Sequence, residues 1–269
     1  MIASADRITE FRRLHESGCF VMPNPWDVGS ERALAGMGFP ALATTSAGFA
    51  WSIGQPDNTV DLETTLEHLR VMAAAVDLPL NADFQGGYAT APDEVAANVG
   101  RAVRTGVAGL SIEDYSGDPA EPLLGLDLAV DRVRAARAAI DDSRTGVVLT
   151  ARSEGFVWGL PDLDETIRRL AAYAQAGADC LYAPFLTSID QAAEIVAAVA
   201  PKPVNLLINS PFATVAQAAA VGVRRISVGG MLAKTAWRGF LAAAHEIADE
   251  GTFSQLAGLP DLNALLGPR

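Results

Sequence analysis

Three charged residues in this sequence each end a short apolar run. Asp83 ends Leu78-Pro-Leu-Asn-Ala-Asp, Glu113 ends Gly109-Leu-Ser-Ile-Glu, and Arg152 ends Val147-Val-Leu-Thr-Ala-Arg. A buried strand that delivers a carboxylate bears a desolvation cost unless a counter-charge meets it. Two such acids on neighbouring strands could converge on a hard cation such as Mg²⁺, which takes oxygen ligands. The structural alternative is that one acid caps the following helix and the other pairs with Arg152. A guanidinium at the end of an apolar strand can grip a carboxylate or phosphonate through two parallel hydrogen bonds. An ion pair with Glu113 or Glu154 would serve structure instead, and the two roles are compatible. Asp114 is expected to face outward.

Two small-residue stretches are weaker signals. Thr44-Thr-Ser-Ala-Gly48 could offer backbone N–H groups to an oxyanion, or be an ordinary loop. Ser227-Val-Gly-Gly230 resembles a phosphate-binding turn, although close packing explains it equally well. The only lysines are Lys202 and Lys234, and neither ends a strand, which disfavours a Schiff-base aldolase. His15, His68 and His245 fall on helix-like segments, so no histidine base or histidine metal site is expected. Tyr88, Tyr115 and Glu154 remain as proton-transfer candidates.

These residues need a scaffold that gathers strand ends. Strand-like runs recur at Cys19–Asn24, Ala41–Ser46, Leu78–Asp83, Gly109–Glu113, Val147–Arg152, Cys180–Phe185, Pro203–Ile208 and Arg225–Val228. Helix-like segments between them include Leu62–Val76, Pro92–Thr105, Leu128–Ile140, Leu163–Ala176, Ile189–Val199 and Thr214–Val221. Asp61, Asp162 and Ser188 are positioned as N-caps. Gly38, Gly106, Gly177 and Gly222 stand where helices should close. Eight near-continuous apolar strands alternating with helices predict a (β/α)8 TIM barrel. Chemistry then belongs at the C-terminal rim, which also collects Asn24, Ser46, Glu154, Phe185 and Asn205 to Asn209. No shift in composition divides the chain, so one barrel domain over 1–269 is expected, with 252–269 as a C-terminal cap.

Composition narrows the function. Half of the 269 residues are apolar and the formal net charge is −12, which argues against nucleic acid, whose phosphates demand clustered Lys and Arg. No apolar run is long enough to span a bilayer, and the first thirteen residues lack the apolar segment of a signal peptide. Cys19 and Cys180 sit in apolar runs and read as buried thiols of a reducing compartment. A cytoplasmic protein with no membrane partner is expected.

At this point the sequence resembles the isocitrate lyase/phosphoenolpyruvate mutase superfamily. Thr45-Ser-Ala-Gly-Phe with Gly54-Gln-Pro-Asp57 is similar to its substrate-binding Ser-Gly loop and the acid that follows. Asn81-Ala-Asp-Phe-Gln-Gly-Gly-Tyr88 resembles the Asp-Ala-Asp-x-Gly-Tyr/Phe-Gly metal motif, and Gly109-Leu-Ser-Ile-Glu-Asp114 the Gly-x-x-x-Glu-Asp strand. Ala151-Arg-Ser-Glu154 is similar to Ala-Arg-Thr-Asp/Glu, and Gly222-Val-Arg-Arg-Ile-Ser-Val-Gly229 to the eighth-strand signature. The resemblance implies a barrel that exchanges its last helix between subunits of a dimer or tetramer. It implies Mg²⁺ held by Asp83 and Glu113, with Asp57 nearby and Asn81 where the motif's first aspartate stands. It further implies substrate oxygens on Ser46, Ala47 and Gly48, with the carboxylate on Arg152.

The loop Tyr115-Ser-Gly-Asp-Pro-Ala-Glu-Pro-Leu-Leu-Gly125 carries none of the family's Lys-Lys/Arg-Cys-Gly-His residues, so isocitrate or methylisocitrate cleavage is not expected. The reading is a Mg²⁺-dependent C–C or C–P bond lyase or decarboxylase. Its substrate would be a small 2-oxo or 2-hydroxy carboxylic acid, its intermediate an enolate. Arg152, Ser46 and Glu154 would be catalytic and Asn205 a further substrate contact. The alternatives are a phosphonopyruvate or phosphoenolpyruvate mutase or hydrolase, a phosphate-ester isomerase or aldolase using Gly229-Gly230, and an inactive carboxylate-binding barrel.

Overall fold

The computed structural model describes residues 4–267. Its eight strands are β1 (Phe20–Val21), β2 (Leu42–Ala43), β3 (Leu80–Asp83), β4 (Gly109–Glu113), β5 (Val148–Arg152), β6 (Cys180–Tyr182), β7 (Val204–Leu207) and β8 (Arg225–Ser227). All pair in parallel in the order β1-β8-β7-β6-β5-β4-β3-β2. The seam between β1 and β2 is bridged by Ala43 N–H donating to Pro23 O and Asn24 Nδ2 donating to Thr44 O. The sheet therefore curls into the expected (β/α)8 barrel, and each expected strand contains an observed one.

The helices are α1 (Ser4–Leu14), α2 (Val28–Gly36), α3 (Ser46–Ser52), α4 (Leu62–Ala75), α5 (Pro92–Val103), α6 (Leu126–Ser143), α7 (Leu163–Gln175), α8 (Ile189–Val199), α9 (Val215–Ala220), α10 (Met231–His245) and α11 (Leu262–Leu266). Asp61, Asp162 and Ser188 accept from the backbone N–H three residues on, as N-caps do. Gly106 and Gly177 take φ of +96° and +107° just after α5 and α7, the left-handed turn that glycine closes without strain.

Helix α1 plugs the barrel's lower end. Phe11 is wholly buried there, and Arg12 donates to Gly146 O below β5. Above it the interior is polar as well as apolar. Arg225, 2% exposed, donates to Asn205 Oδ1 (2.8 Å) and Thr150 Oγ1 (3.0 Å) and meets His15 Nε2 (3.2 Å). Burial and the Arg225 charge push His15 down to about 3, so its imidazole is neutral and Nε2 can accept while Nδ1 donates to Phe11 O.

Helix α10 departs from this packing. Trp237, Phe240 and Leu241 are exposed, Phe240 by 61%, and only Ala233 of the helix is buried. The segment expected as a cap forms a short 3-10 turn (Ser254–Leu256) and α11, which lies against α2 and leaves Leu259 and Leu262 exposed. Residues 268 and 269 of that expected cap lie outside the described residues. Among the described residues no helix is long and apolar enough to cross a membrane.

On α2, Glu31 is completely buried and neither carboxylate oxygen has a hydrogen-bond partner among the described residues. Burial raises its carboxyl to about 8, against the pull of Arg32 and Arg7. The folded state thus holds a proton that the unfolded chain releases near its ordinary value of 4.5. Stability conferred by the protonated form is complete below 4.5 and declines as pH rises towards 8, by about 1.4 kcal/mol per pH unit. Urea unfolding of Glu31→Gln across this window should show that decline flattened relative to the unsubstituted protein.

Candidate active site

The rim of the barrel holds a cavity of about 230 Å³ lined by Ser46, Ala47, Asp57, Asp83, Glu113, Arg152 and Glu154, with Asn81, Asn205 and Arg225 deeper. Arg152 organises it. Its Nη1 lies 2.7 Å from Asp83 Oδ1 and 3.2 Å from Glu113 Oε2, while Nε lies 2.9 Å from Glu154 Oε1. The pairing register sets Glu113 directly beside Arg152. The Tyr182 ring supports the guanidinium at 5.1 Å, a favourable cation–π distance. Both alternatives for Arg152, ion pairing and a place in the cavity, are therefore met at once.

The second oxygen of Asp83 is held from the other side. Asp83 Oδ2 accepts from both the backbone N–H and the Oγ–H of Ser46, each at 2.9 Å. Ser46 Oγ also lies 3.4 Å from Asp57 Oδ1. Thr44-Thr-Ser-Ala-Gly48 is consequently not an open loop but the start of α3, with Thr45 as N-cap accepting from Gly48 N–H. That bond uses the Gly48 amide, and a Cβ on Gly48 would stand 2.6 Å from Thr45 Cγ2 and 3.0 Å from Trp26 Cβ. Gly48 permits close packing, and of the three residues expected at the substrate only Ser46 and Ala47 line the cavity.

Four carboxylates and one guanidinium give this corner a formal charge of −3 (Asp57, Asp83, Glu113 and Glu154 against Arg152). The acids respond to it. Burial, reinforced by Glu154 and Asp83, raises Glu113 well above the usual carboxylate range despite Arg152. Burial raises Glu154 to about 7, and Asp57 upward with help from Asp83. Among the described residues no three acids, thiols or imidazoles converge as a ready ligand set; Arg152 occupies the space between Asp83, Glu113 and Glu154. The donors are nonetheless hard oxygens carrying surplus negative charge. That chemistry fits a magnesium-like cation at Asp83, Asp57 and Glu113.

Asn81 does not fit that set. Two residues down β3, its Oδ1 accepts no hydrogen bond among the described residues and lies 2.6 Å from where a Cβ on Gly109 would stand, beside the Phe11 ring. It faces the lower layer and the α1 plug, so its expected role as a rim ligand is corrected. Asn205 is likewise a floor residue, committed to Arg225 and Ser227 Oγ. The Val228 and Gly229 N–H groups both donate to Asn24 Oδ1 at 2.9 Å. An amide oxygen already fills that turn, and the phosphate-site reading falls with it. Tyr88 bonds Thr65 Oγ1 away from the main cavity, whereas Tyr115 stacks on Trp158 at 4.2 Å on the cavity wall.

Two buried supports were not anticipated. Asp114 points away from the cavity, as expected, but into a buried site under α7 rather than into solvent (2% exposed): it accepts from Glu154 N–H (2.8 Å), Arg169 Nη1 (3.1 Å) and Tyr173 Oη (2.6 Å). It follows Glu113 on the opposite face of the strand end, where the helix layer covers it. Arg132 donates to the carbonyls of Glu113, Gly86 and Ala89, tying the ends of β3 and β4. Its signal was an arginine within the inward stripe Ala129, Val130, Val133 and Ala136 of α6.

Residues 11–248 match the family model for phosphoenolpyruvate phosphomutase. The chain belongs to that family. An uncharacterized protein of Mycobacterium tuberculosis is 34% identical over 238 residues, spanning 87% of this chain and 86% of its own. A Burkholderia cenocepacia J2315 structure, provisionally described as a lyase/mutase, shares 43% identity at a TM-score of 0.94, covering 98% of this chain and 97% of its own. An oxaloacetate acetylhydrolase solved with its product oxalate shares 30% identity at a TM-score of 0.86, covering 98% and 94%. Membership in the isocitrate lyase/phosphoenolpyruvate mutase superfamily makes the chain an enzyme of lyase or mutase type.

Removing Asp114 would leave Arg169 with Glu165 alone (2.7 Å) and deprive Tyr173 Oη and the Glu154 N–H of their buried acceptor. Breaking one side of a buried pair costs about 3–5 kcal/mol, so Asp114→Ala should lose that much stability in urea unfolding while a surface control, Asp131→Ala, changes little.

Proposed function

We propose that this enzyme is a Mg²⁺-dependent lyase or decarboxylase that cleaves a bond beside the carboxylate of a small 2-oxo or 2-hydroxy acid through an enolate. The observation that carries this reading is Arg152 held among Asp83, Glu113 and Glu154 at the wall of a cavity sized for a small acid. Asp83, Asp57 and Glu113 would hold the cation, which when bound stabilises the negative charge that collects on the enolate oxygen.

The chain's own residues supply the rest. Arg152 uses Nη1 and Nε for its acids and has Nη2 in none of these pairs, so that edge is available to a substrate carboxylate. Ser46 fixes Asp83 and presents its hydroxyl to the same space. Glu154, raised to about 7 by burial, is matched to hold and return a proton near neutral pH. The Tyr115–Trp158 stack walls the cavity beside Glu154 and limits water there. Oxaloacetate-like decarboxylation suits this set, since it demands charge stabilisation and a single returned proton. The oxalate found in the related acetylhydrolase is a planar mimic of the same enolate.

Cleavage at a C–P bond is the second reading, favoured by the description of the matching family model; phosphate release from phosphonopyruvate would identify it. We also propose a homo-oligomer, dimer or tetramer, in which subunits exchange α10 and so cover Trp237, Phe240 and Leu241. Light scattering should show Trp237→Asp/Phe240→Asp dissociating to monomers.

Chelator-treated protein assayed on a panel of 2-oxo and 2-hydroxy acids should be inactive and recover with Mg²⁺. Arg152→Ala should lose about a hundredfold or more in kcat. Activity indifferent to metal removal would sink the reading.

A further inference from the structure

Behind the acidic corner lies a second, small cavity of about 10 Å³, walled by α3, α4 and the chain after β3. That is room for about one water molecule. Ser46 and Asp83 line it from the active site, and Thr65, His68 and Tyr88 line it from behind. His68 has no part in the proposed reaction. Its Nε2 is buried and has no hydrogen-bond partner among the described residues. Burial lowers the imidazole to about 4, against the pull of Asp27, so the ring is neutral near neutral pH. An unpartnered polar atom there is unfavourable, and water satisfies such an atom where other polar groups face the same space.

The face of the same ring braces the active site. His68 stacks on Phe49, with 3.7 Å between ring centres and 9° between planes. Phe49 stands in α3, one turn after Ser46, whose N–H and Oγ–H both hold Asp83 Oδ2. One turn before His68 on α4, Thr65 Oγ1 bonds the Tyr88 hydroxyl at 2.7 Å. Only one hydroxyl donates in that pair, so the other keeps a hydrogen to give. Burial, reinforced by the nearby acids, keeps Tyr88 protonated. Its φ of +57° is a left-handed backbone that a bulky residue adopts only under constraint. Thr65 and His68, three residues apart, therefore form one face of α4 that meets both the Ser46 helix and the turn from Asp83 to Tyr88.

From this arrangement we propose that the small cavity is a hydration site and that His68 is a positioning residue acting through its water. The water bonds His68 Nε2, accepts the spare hydrogen of the Thr65–Tyr88 pair and donates to the Ser46–Asp83 pair. Either tautomer of the neutral ring serves, since water both donates and accepts. Three polar partners are the usual complement of a buried water. Its effect is to fix Asp83 and Ser46, so that Asp83 keeps its orientation towards Arg152 and the cation. That consequence rests on the cation site proposed above; the hydration site does not. Groups that support a ligand without touching the metal alter its affinity by about ten- to a hundredfold.

Two substitutions separate the nitrogen from the ring. His68→Phe keeps a flat partner for Phe49 and removes Nε2, whereas His68→Gln gives up the ring and returns an amide near the Nε2 position. Crystals of the unsubstituted protein that diffract well enough to order buried waters should show one within about 3 Å of Nε2 and of the Ser46–Asp83 pair. His68→Phe should lack it. Calorimetric titration with Mg²⁺ alone should show binding weakened about tenfold or more in His68→Phe, with most of the loss restored in His68→Gln. Urea unfolding should place the midpoint of His68→Phe near that of the unsubstituted protein, so that its weaker binding is not a loss of fold. A cavity without water in the unsubstituted protein would overturn the proposal, as would unchanged Mg²⁺ affinity in His68→Phe or equal losses in the two variants. A loss confined to His68→Gln would overturn it too, by assigning the whole role to the stack on Phe49. If the unsubstituted protein binds no Mg²⁺, the cation site falls, and with it the role of His68 towards that site, while the crystallographic water still decides the hydration site.

Discussion

Arg152 is the constraint on which the rim depends. Strands β3, β4 and β5 each release an acid or the arginine at nearly the same height, and a guanidinium is the one side chain whose planar fork can face three carboxylates together. Without it Asp83, Glu113 and Glu154 would share a buried corner with no counter-charge from the chain, which is a strongly unfavourable arrangement. With it the corner remains negative, and the raised Glu113, Glu154 and Asp57 measure how incompletely one cation balances four acids. The same imbalance suits the site to a further positive charge and to an acid that shares its proton near neutral pH.

A second tier of buried charge holds this corner in place. Asp114 receives the Glu154 backbone and is itself fixed by Arg169 and Tyr173 from α7. Arg132 reaches from α6 to three carbonyls at the ends of β3 and β4. The outer helices thus position the reacting strand ends through hydrogen bonds as well as through apolar packing. Asn24 does the equivalent at the opposite side of the rim, where its amide bridges Thr44 O to the Val228 and Gly229 N–H groups and so joins β1's end to those of β2 and β8.

The barrel was legible because its signals are local and repeated: apolar strands, Asp61, Asp162 and Ser188 as caps, and glycines at helix ends. Helices α1 and α2 were less so, since α1 is a plug whose inward face is carried by few residues, Ile8 and Phe11 among them. Asp83, Glu113 and Arg152 were legible for the same reason as the strands that end in them. What the sequence did not disclose is which distant group meets a given residue. Asp114 faces outward as alternation leads one to expect, yet what meets it there is α7, whose Arg169 and Tyr173 bury it. The Ser227–Gly230 turn reads as anion-binding until Asn24, some two hundred residues earlier, fills it. Such long-range occupancy has no signature in local spacing.

Asn81 shows how one register changes a functional argument. Aligned with the first aspartate of the metal motif, it removes a negative charge from the rim and favours an inactive barrel. In the fold it lies beside Gly109 and Phe11, below the acids, and the residue that meets Ser46 and Arg152 is Asp83. Taking Asp83 as the motif's first position gives Asp83-Phe-Gln-Gly-Gly-Tyr88, in which Gly87 and Tyr88 fall at the motif's glycine and aromatic without a gap. The departure then moves to Gln85, whose φ of +46° and carbonyl bond to Glu113 N–H place it at the turn between the two acid-bearing strands. The leading carboxylate is retained, and the charge lost is the one at Gln85. The case for an inactive barrel rested on Asn81 and on the loop after Glu113, and the placement of Asp83 removes the first of these grounds.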